Sequence, residues 1–378
     1  MKIIHILLGK ANPNTMNGVN VVVHNLATAQ LNQNIDVEVW GITNSPIKIK
    51  HEHIYKLKLF QQRKFSFFLD NVLVKKLETL PKNTLVHLHS AFIPEFFSLA
   101  RLFKKLKISY IITPHGAYDK STMDNKKFKK YLYFNLIERY ILNNAKRIHF
   151  IGNSEKKHVN KLKIYTDSFL IPNGTERVDT TLLEYKNTNS NIVFSYCGRI
   201  FVHHKGLDLL IKAFINYKNS GGKGQLKLIG DGGDLNTLIE MSKSSKFVND
   251  IQFLGKKFGK EKLNILYSSD VFVHTSRHDG MPIAVLEAAD LALPLLLSKG
   301  TNLGSYVNKY NAGKILEINN IENIEKSLFE MEKLFNSKKL NIYGENAKKM
   351  IDKELNWDAI ATEFIVNYNT ILEDSSNE

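Results

Sequence analysis

SRHDGMPIAVLEAADLALP, residues 276–294, places two carboxylates, a glycine turn and a proline-led apolar run in one short segment. Ahead of it VFVH, Val271 to His274, reads as a buried strand, and Pro282 suits the first turn of a helix, where its missing N–H is no loss. Strand, loop and helix in that order belong to a parallel α/β sheet, whose ligands bind beyond the carboxyl ends of the strands. A free helix N-terminus at such a junction favours phosphate. Asp279 and Glu287 then need a different target, and sugar or ribose hydroxyls supply it, because an ionised carboxylate only accepts hydrogen bonds.

A second constellation lies upstream in FSYCGRIFVHHKGLDLLIKAF, Phe194 to Phe214. An apolar strand runs into Gly198-Arg199, a polar loop, Lys205-Gly206 and an amphipathic helix. Arg199 offers a planar fork and Lys205 a compact point charge, so the pair suits a diphosphate whose charge grows as it leaves. The competing reading is solvated surface. A third block, KLIGDGGDL from Lys227, again ends a strand in glycines and acids, and alone it signals only a tight turn.

The organisation repeats along the chain. KIIHILL, DVEVWGI, TLVHLHS, SYIITPHG, RIHFIG and SFLIPNG alternate with helical patterns, the mark of a doubly wound parallel sheet. TERVDTTLLEYKNTNSN is polar and aperiodic and reads as a linker over residues 176–191. From Ile192 the alternation resumes with NIVFSYCGR, QLKLIGDG, DIQFLGK, VFVHTS, PLLLS and AGKILE, and NWDAIATEFIVNYNTIL closes the chain as an amphipathic helix. At 378 residues and 43% apolar content, two α/β domains are expected, over residues 1–175 and 192–356. The single cysteine, Cys197, reads as a buried strand residue; it excludes an internal disulfide or a cysteine-based zinc cage and fits a reducing cytoplasm. MKIIHILLGKAN reads as a strand entering a polar loop, not a signal core, and no apolar run approaches the ~20 residues of a membrane span.

In this order and spacing, GRIFVHHKGLDLLIKAF, LIGDGGDL, IQFLGKK and SRHDGMPIAVLEA resemble the nucleotide-binding half of the retaining glycosyltransferases of family 4. TPHG at Thr113, IPNG at Ile171 and NGV at Asn17 extend the resemblance over nearly the whole chain. It implies the GT-B fold: two facing Rossmann-like domains with a cleft between them and a tail helix, about residues 357–374, packing back on the first. It implies further that Arg199 and Lys205 clamp a donor diphosphate, that Glu287 meets the ribose hydroxyls, and that Asp279 meets hydroxyls of the transferred sugar. Gly280 and the amides of Met281 and Ile283 would help hold sugar and phosphate. Gly18 would let its loop approach the phosphate, and His115 would face the reacting sugar. Two departures stand out: Asp279 where the family generally has Glu, and Asn17-Gly18 where a Gly-Gly pair is frequent.

The resemblance also implies a nucleotide-sugar donor, UDP-sugar favoured and GDP-sugar second, with retention and without a cofactor. No Asp-x-Asp occurs anywhere in the chain, so metal chelation of a diphosphate by that motif is not expected. His203-His204 has no acidic or cysteine partner at ligand spacing, and no metal site is expected.

Charge placement adds a second expectation. Residues 1–190 hold 29 basic and 14 acidic groups, the whole net +15, while residues 191–378 balance at 23 each. RKFSFFLDNVLVKK from Arg63 and KKFKKYLYFNLIERYIL from Lys126 set lysines beside aromatic and aliphatic residues, which suits helices at an anionic lipid surface. The competing reading is amphipathic helices packed on their own domain. No nucleic-acid-binding module is readable. The expected setting is the cytoplasmic face of a bacterial inner membrane, with a lipid-linked glycan, polysaccharide or lipopolysaccharide intermediate as acceptor. Rival readings are a sugar-nucleotide epimerase of the same fold, a catalytically inactive partner subunit, and a dinucleotide oxidoreductase. The last lacks any G-x-G-x-x-G after a strand.

Overall fold

Among the described residues thirteen short segments, most of them apolar, form strands. In the computed structural model β1 (Lys2–Leu8), β2 (Asp36–Thr43), β3 (Lys56–Gln61), β4 (Thr84–His89), β5 (Ser109–Thr113), β6 (Arg147–Phe150) and β7 (Ser168–Leu170) form one parallel sheet in the order β3-β2-β1-β4-β5-β6-β7. A second parallel sheet has β8 (Val193–Cys197), β9 (Gln225–Ile229), β10 (Ile251–Phe253), β11 (Val271–His274), β12 (Leu295–Ser298) and β13 (Gly313–Leu316), ordered β10-β9-β8-β11-β12-β13. The structure describes every residue except Met16 and residues 48–52, 125–126, 184–189 and 377–378. Lys126 and the middle of the expected linker therefore lie outside the described residues.

The chain divides into two compact units, Met1–Asn173 with Trp357–Glu378, and Gly174–Asn356. Each has its own apolar core, one around Ile4, Trp40, Leu88 and Phe96, the other around Phe194, Leu210, Phe214 and Val273. Central strands such as β4, β11 and β12 are buried at every position, as strands covered on both faces by helices must be. The tail helix, Trp357–Ser376, belongs to the first unit, where it packs on helix Gly18–Asn32 and buries Phe364 and Tyr368. Residues just after Asn173 are anchored in the second unit: Thr175 bridges to Asn356, and Val178 N–H donates to Asp290 at 2.5 Å.

In both sheets the strand order reverses beside the first strand, between β1 and β4 and between β8 and β11. Such switch points open a crevice at the carboxyl ends of the strands. The loops carrying Arg199, Lys205 and Asp279 follow β8 and β11.

Two expectations change. KLKLFQ forms an additional edge strand, β3, whose Lys58 pairs with Glu38 at 2.5 Å. The expected helix over residues 63–76 starts only at Asn71, because Asp70 caps Val72 N–H at 3.2 Å; ahead of it Phe65 and Phe68 stand 70% and 66% exposed. The second lysine-rich stretch is helical over Lys127–Tyr133 and Arg139–Asn144, joined by a π-helical turn, Phe134–Glu138, at which Glu138 is fully buried.

Candidate functional site

Two glycine blocks of the second unit build one platform. After β8, Gly198 N–H donates to Ile229 O (3.0 Å), Ile200 N–H to Asp231 O (2.9 Å) and Val202 N–H to Asp234 Oδ2 (2.8 Å). LIGDGGDL thus lies directly beneath the loop that carries Arg199. Backbones touch there: a Cβ on Gly230 would fall 1.9 Å from Gly198 O, and one on Gly232 would fall 2.1 Å from Ile200 O. A short helix, Val202–Lys205, then ends at Gly206, whose φ of +62° is left-handed and whose Cβ would meet Thr275 O at 2.2 Å. Glycine is required there on both counts.

This backbone path delivers Lys205 to Asp279. Lys205 Nζ donates to Asp279 Oδ2, and His274 Nε2 donates to the same oxygen at 3.1 Å. Ser276 Oγ lies 3.4 Å from it, so all these contacts fall on Oδ2 and none on Oδ1. Burial alone would raise the Asp279 carboxyl, but the Lys205 ammonium and the His274 ring hold it well below the usual carboxylate range. His274 stacks on Tyr196 with centroids 5.2 Å apart, and burial lowers its pKa. The loop around Asp279 is pinned from behind: its N–H donates to Gly300 O (2.7 Å), and Asn302 Nδ2 donates to Asp279 O (3.0 Å) and Gly280 O (2.8 Å).

Arg277 locks the two loops together. Its guanidinium forks onto both oxygens of Asp208 at 2.8 Å and reaches Val202 O at 2.9 Å, while its N–H donates to His204 O at 2.8 Å. Arg199 is exposed on the rim of this platform, its guanidinium 5.8 Å from the Phe201 ring. Met281 is buried, and the helix Ile283–Asp290 begins after Pro282 without a side-chain cap, which leaves its first N–H groups directed at the loop.

Glu287, on that helix, takes a separate partner. Both its oxygens accept from Lys262 Nζ, at 2.6 and 2.7 Å. The charges of this pair act on Cys197 and that of Asp279 on Tyr196, the last two residues of β8. Burial pushes the Cys197 thiol up to about 12, which makes it inert. The structure therefore brings Lys205, Asp279 and Gly280 into one bonded cluster and sets Arg199 on its rim. It places Glu287 beside Lys262. Arg277, His274 and Lys262 are the contributors that the motifs did not expose.

The first unit holds the other two candidates. Asn17 caps helix Gly18–Asn32 through Val19 N–H (3.1 Å), and a Cβ on Gly18 would meet nothing within 4 Å. His115 follows β5 in a left-handed backbone, φ +57°. Its loop is held by Glu155, whose two oxygens accept from Gly116 N–H (2.9 Å) and Tyr118 N–H (2.8 Å). Tyr118 OH in turn donates to Glu138, which also accepts from Phe92 N–H at 3.1 Å. Burial raises Glu155 to about 8 and Glu138 to about 7, and lowers His115 to about 3. His115 Nε2 lies 3.1 Å from His89 Nδ1.

Known proteins share this architecture and sequence pattern. Residues 185–350 match the family "Glycosyl transferases group 1", and residues 16–177 match "Glycosyltransferase Family 4". An uncharacterized glycosyltransferase of Methanocaldococcus jannaschii is 26% identical over 280 residues, which is 71% of this chain and 69% of that protein. The Escherichia coli UDP-Gal:alpha-D-GlcNAc-diphosphoundecaprenol alpha-1,3-galactosyltransferase is 26% identical over 294 residues, 73% of this chain and 72% of its own. The crystal structure of Anabaena HepE in complex with UDP superposes with a TM-score of 0.75 at 14% identity, covering 98% of this chain and 100% of that one.

Proposed function

Since the chain belongs to the family 4, group 1 class of GT-B glycosyltransferases, we propose that it moves a sugar from a nucleotide-diphosphate sugar, UDP-sugar favoured, to a lipid-linked or cell-surface glycan with retention at the anomeric carbon. One observation carries the donor side. Asp279 is fixed through Oδ2 by Lys205 and His274, and Oδ1 takes no part in those bonds, so the carboxylate is oriented to accept from a sugar hydroxyl. Lys205 lies next to it, Arg199 on the same loop and the uncapped helix at Ile283 close by in sequence, a positive surround suited to a diphosphate. Glu287, held by Lys262, is the acceptor for ribose hydroxyls.

The protein's share in the reaction is positioning and electrostatic stabilisation. As the anomeric bond to phosphate breaks, Lys205 and Arg199 offset the charge that gathers on the leaving diphosphate. The departing phosphate oxygen takes the proton of the acceptor hydroxyl on the same face. These fixed cations replace a chelated metal, so the activity persists in EDTA.

The lipid-linked acceptor is supported by the excess positive charge of residues 1–190 and by the apolar groups they expose. Phe65, Phe68, Phe128 and Leu136 are each at least 65% exposed, and lysines lie between them. The name of the E. coli relative itself specifies a diphosphoundecaprenol acceptor. No helix among the described residues is long and apolar enough to cross a membrane. The proposed contact is peripheral, at the cytoplasmic leaflet.

A thermal-shift panel of nucleotide sugars, with and without EDTA, tests the donor side. A ligand at 100 times its Kd stabilises by about 2.7 kcal/mol, and silence from every nucleotide sugar would remove the proposal. The anomeric configuration of the product, read by NMR coupling, tests retention. Flotation with anionic vesicles at low salt tests the membrane contact.

A further inference from the structure

Five histidines, His5 on β1, His87 and His89 on β4, His115 after β5 and His149 on β6, meet at the carboxyl half of the first sheet. The rings of His87 and His89 are 4.0 Å apart, those of His5 and His89 5.1 Å, and those of His89 and His115 5.4 Å. His5, His87 and His89 bring ligand atoms within 4.8 Å of one another, the spacing of a metal site. Their ring nitrogens, however, are all taken by protein partners: His5 bonds His89 and Gln30, His87 bonds Tyr368 and Thr113, and His89 bonds His5 and His115. A metal would have to break bonds already made in a buried core.

The direction of every bond follows from one end of the chain. The Ile171 carbonyl only accepts, so His149 carries its proton on Nε2 (2.8 Å) and leaves Nδ1 bare. Thr113 must then donate to His149 Nδ1 (2.7 Å) and accept from His87 Nε2–H (2.6 Å). That leaves His87 Nδ1 to accept from Tyr368 OH (2.7 Å), whose oxygen accepts from Gln30 Nε2 (3.5 Å). With its amide so turned, Gln30 Oε1 accepts from His5 Nε2–H (2.8 Å), and His5 Nδ1 accepts from His89 Nε2–H (2.8 Å). His89 Nδ1 is thus an acceptor, and its partner is His115 Nε2–H (3.1 Å). Burial lowers the pKa of every ring in the series, so all five are neutral and the sequence of donors is not interrupted.

We propose that this relay of hydrogen bonds fixes His115 as the Nε2–H tautomer with a bare Nδ1, and that His89, backed by His5 and Gln30, is a positioning residue that makes His115 an acceptor toward a substrate hydroxyl at the carboxyl end of the first sheet. The tautomer rests on the hydrogen bonds alone, while its use rests on the sugar transfer proposed above. Thr113 and Tyr368 extend the same order, so the tail helix takes part in setting the protonation pattern of the sheet.

Long-range proton–nitrogen NMR correlations on the full chain labelled with nitrogen-15 histidine test the tautomer, with the His115 signals assigned by their loss in His115→Gln. The expected pattern is neutral Nε2–H for His115 between pH 5.5 and 8; an Nδ1–H or charged ring overturns the proposal. Two variants separate positioning from packing. His89→Asn keeps an oxygen near the place of Nδ1, whereas His89→Gln keeps only the link toward His5. His89→Asn should preserve the His115 pattern and the donor KM, and His89→Gln should mix the tautomers and raise donor KM about tenfold with a smaller change in kcat. Equal behaviour of the two variants refutes the role of His89. If the tautomer pattern responds as stated but donor KM does not, the relay stands and the use of His115 as an acceptor toward substrate falls.

Discussion

Lys205 and Asp279 are expected to be energetically coupled even with no substrate present. For two unit charges in contact at an effective dielectric of about 20, the attraction is about 5 kcal/mol. The side chains keep 19% and 16% of their exposure, and solvent screening removes roughly half of that figure, leaving a coupling of about 2–3 kcal/mol. Lys205→Met leaves Asp279 with the His274 ring and the longer bond from the Ser276 hydroxyl on Oδ2, no cation among them, and should destabilise the second unit by about 3 kcal/mol. Asp279→Asn should cost about 2 kcal/mol, but the double variant should lose little more than Lys205→Met alone. Urea unfolding followed by far-ultraviolet circular dichroism measures the cycle. Trp40 and Trp357 both lie in the first unit, so their fluorescence gives an internal control on that half. Additivity of the two substitutions within about 0.5 kcal/mol would refute the reasoning, because independent sites behave that way.

Arg277→Ala should raise donor KM at least tenfold although Arg277 is not expected to touch the donor, since it releases Val202 and Asp208; steady-state kinetics beside a melting curve would show this. Gly206→Ala forces a Cβ to within 2.2 Å of Thr275 O at a left-handed φ, and should cost about 2–4 kcal/mol in chemical unfolding together with the nucleotide-induced thermal shift. His149→Gln should alter the pH dependence of stability. The folded ring titrates at about 4 and the free one at 6.5, so its contribution is complete above pH 6.5 and is lost as the pH falls toward 4. Denaturation at several pH values should therefore show a slope shallower by about 1.4 kcal/mol per pH unit within that window, and an unchanged slope would count against a neutral, buried His149. Glu138 and Glu155, whose carboxyls are raised, act in the opposite sense in both proteins and cancel from the comparison.

Continuous apolar runs made most strands legible, because a parallel strand buried on both faces has no room for polar residues. β3 escaped notice for the complementary reason. It lies at an edge, and its alternating lysines serve Glu38 and solvent rather than a core. In the candidate site, the sequence pattern points to Lys205 and Asp279, which the structure joins in one ion pair, and to Glu287, which it pairs with Lys262. Their present partners were hidden. His274 reads as part of a buried strand, Arg277 as a flank of Asp279, and Lys262 falls outside every motif. Each is defined by a bond to a distant segment, which spacing along the sequence does not encode. The histidine relay was less legible still: HLHS announced two rings, but their partners come from other strands, a loop and the tail helix.

The contact between Gly230, Gly232 and the carbonyls of Gly198 and Ile200 has a consequence for how this enzyme can diversify. No side chain of any size fits between those two stretches of main chain, so the base of the platform is closed to mutational exploration. Variation is left to the exposed Phe201 and His203 of the same loop, where chemistry can be exchanged without dismantling the scaffold.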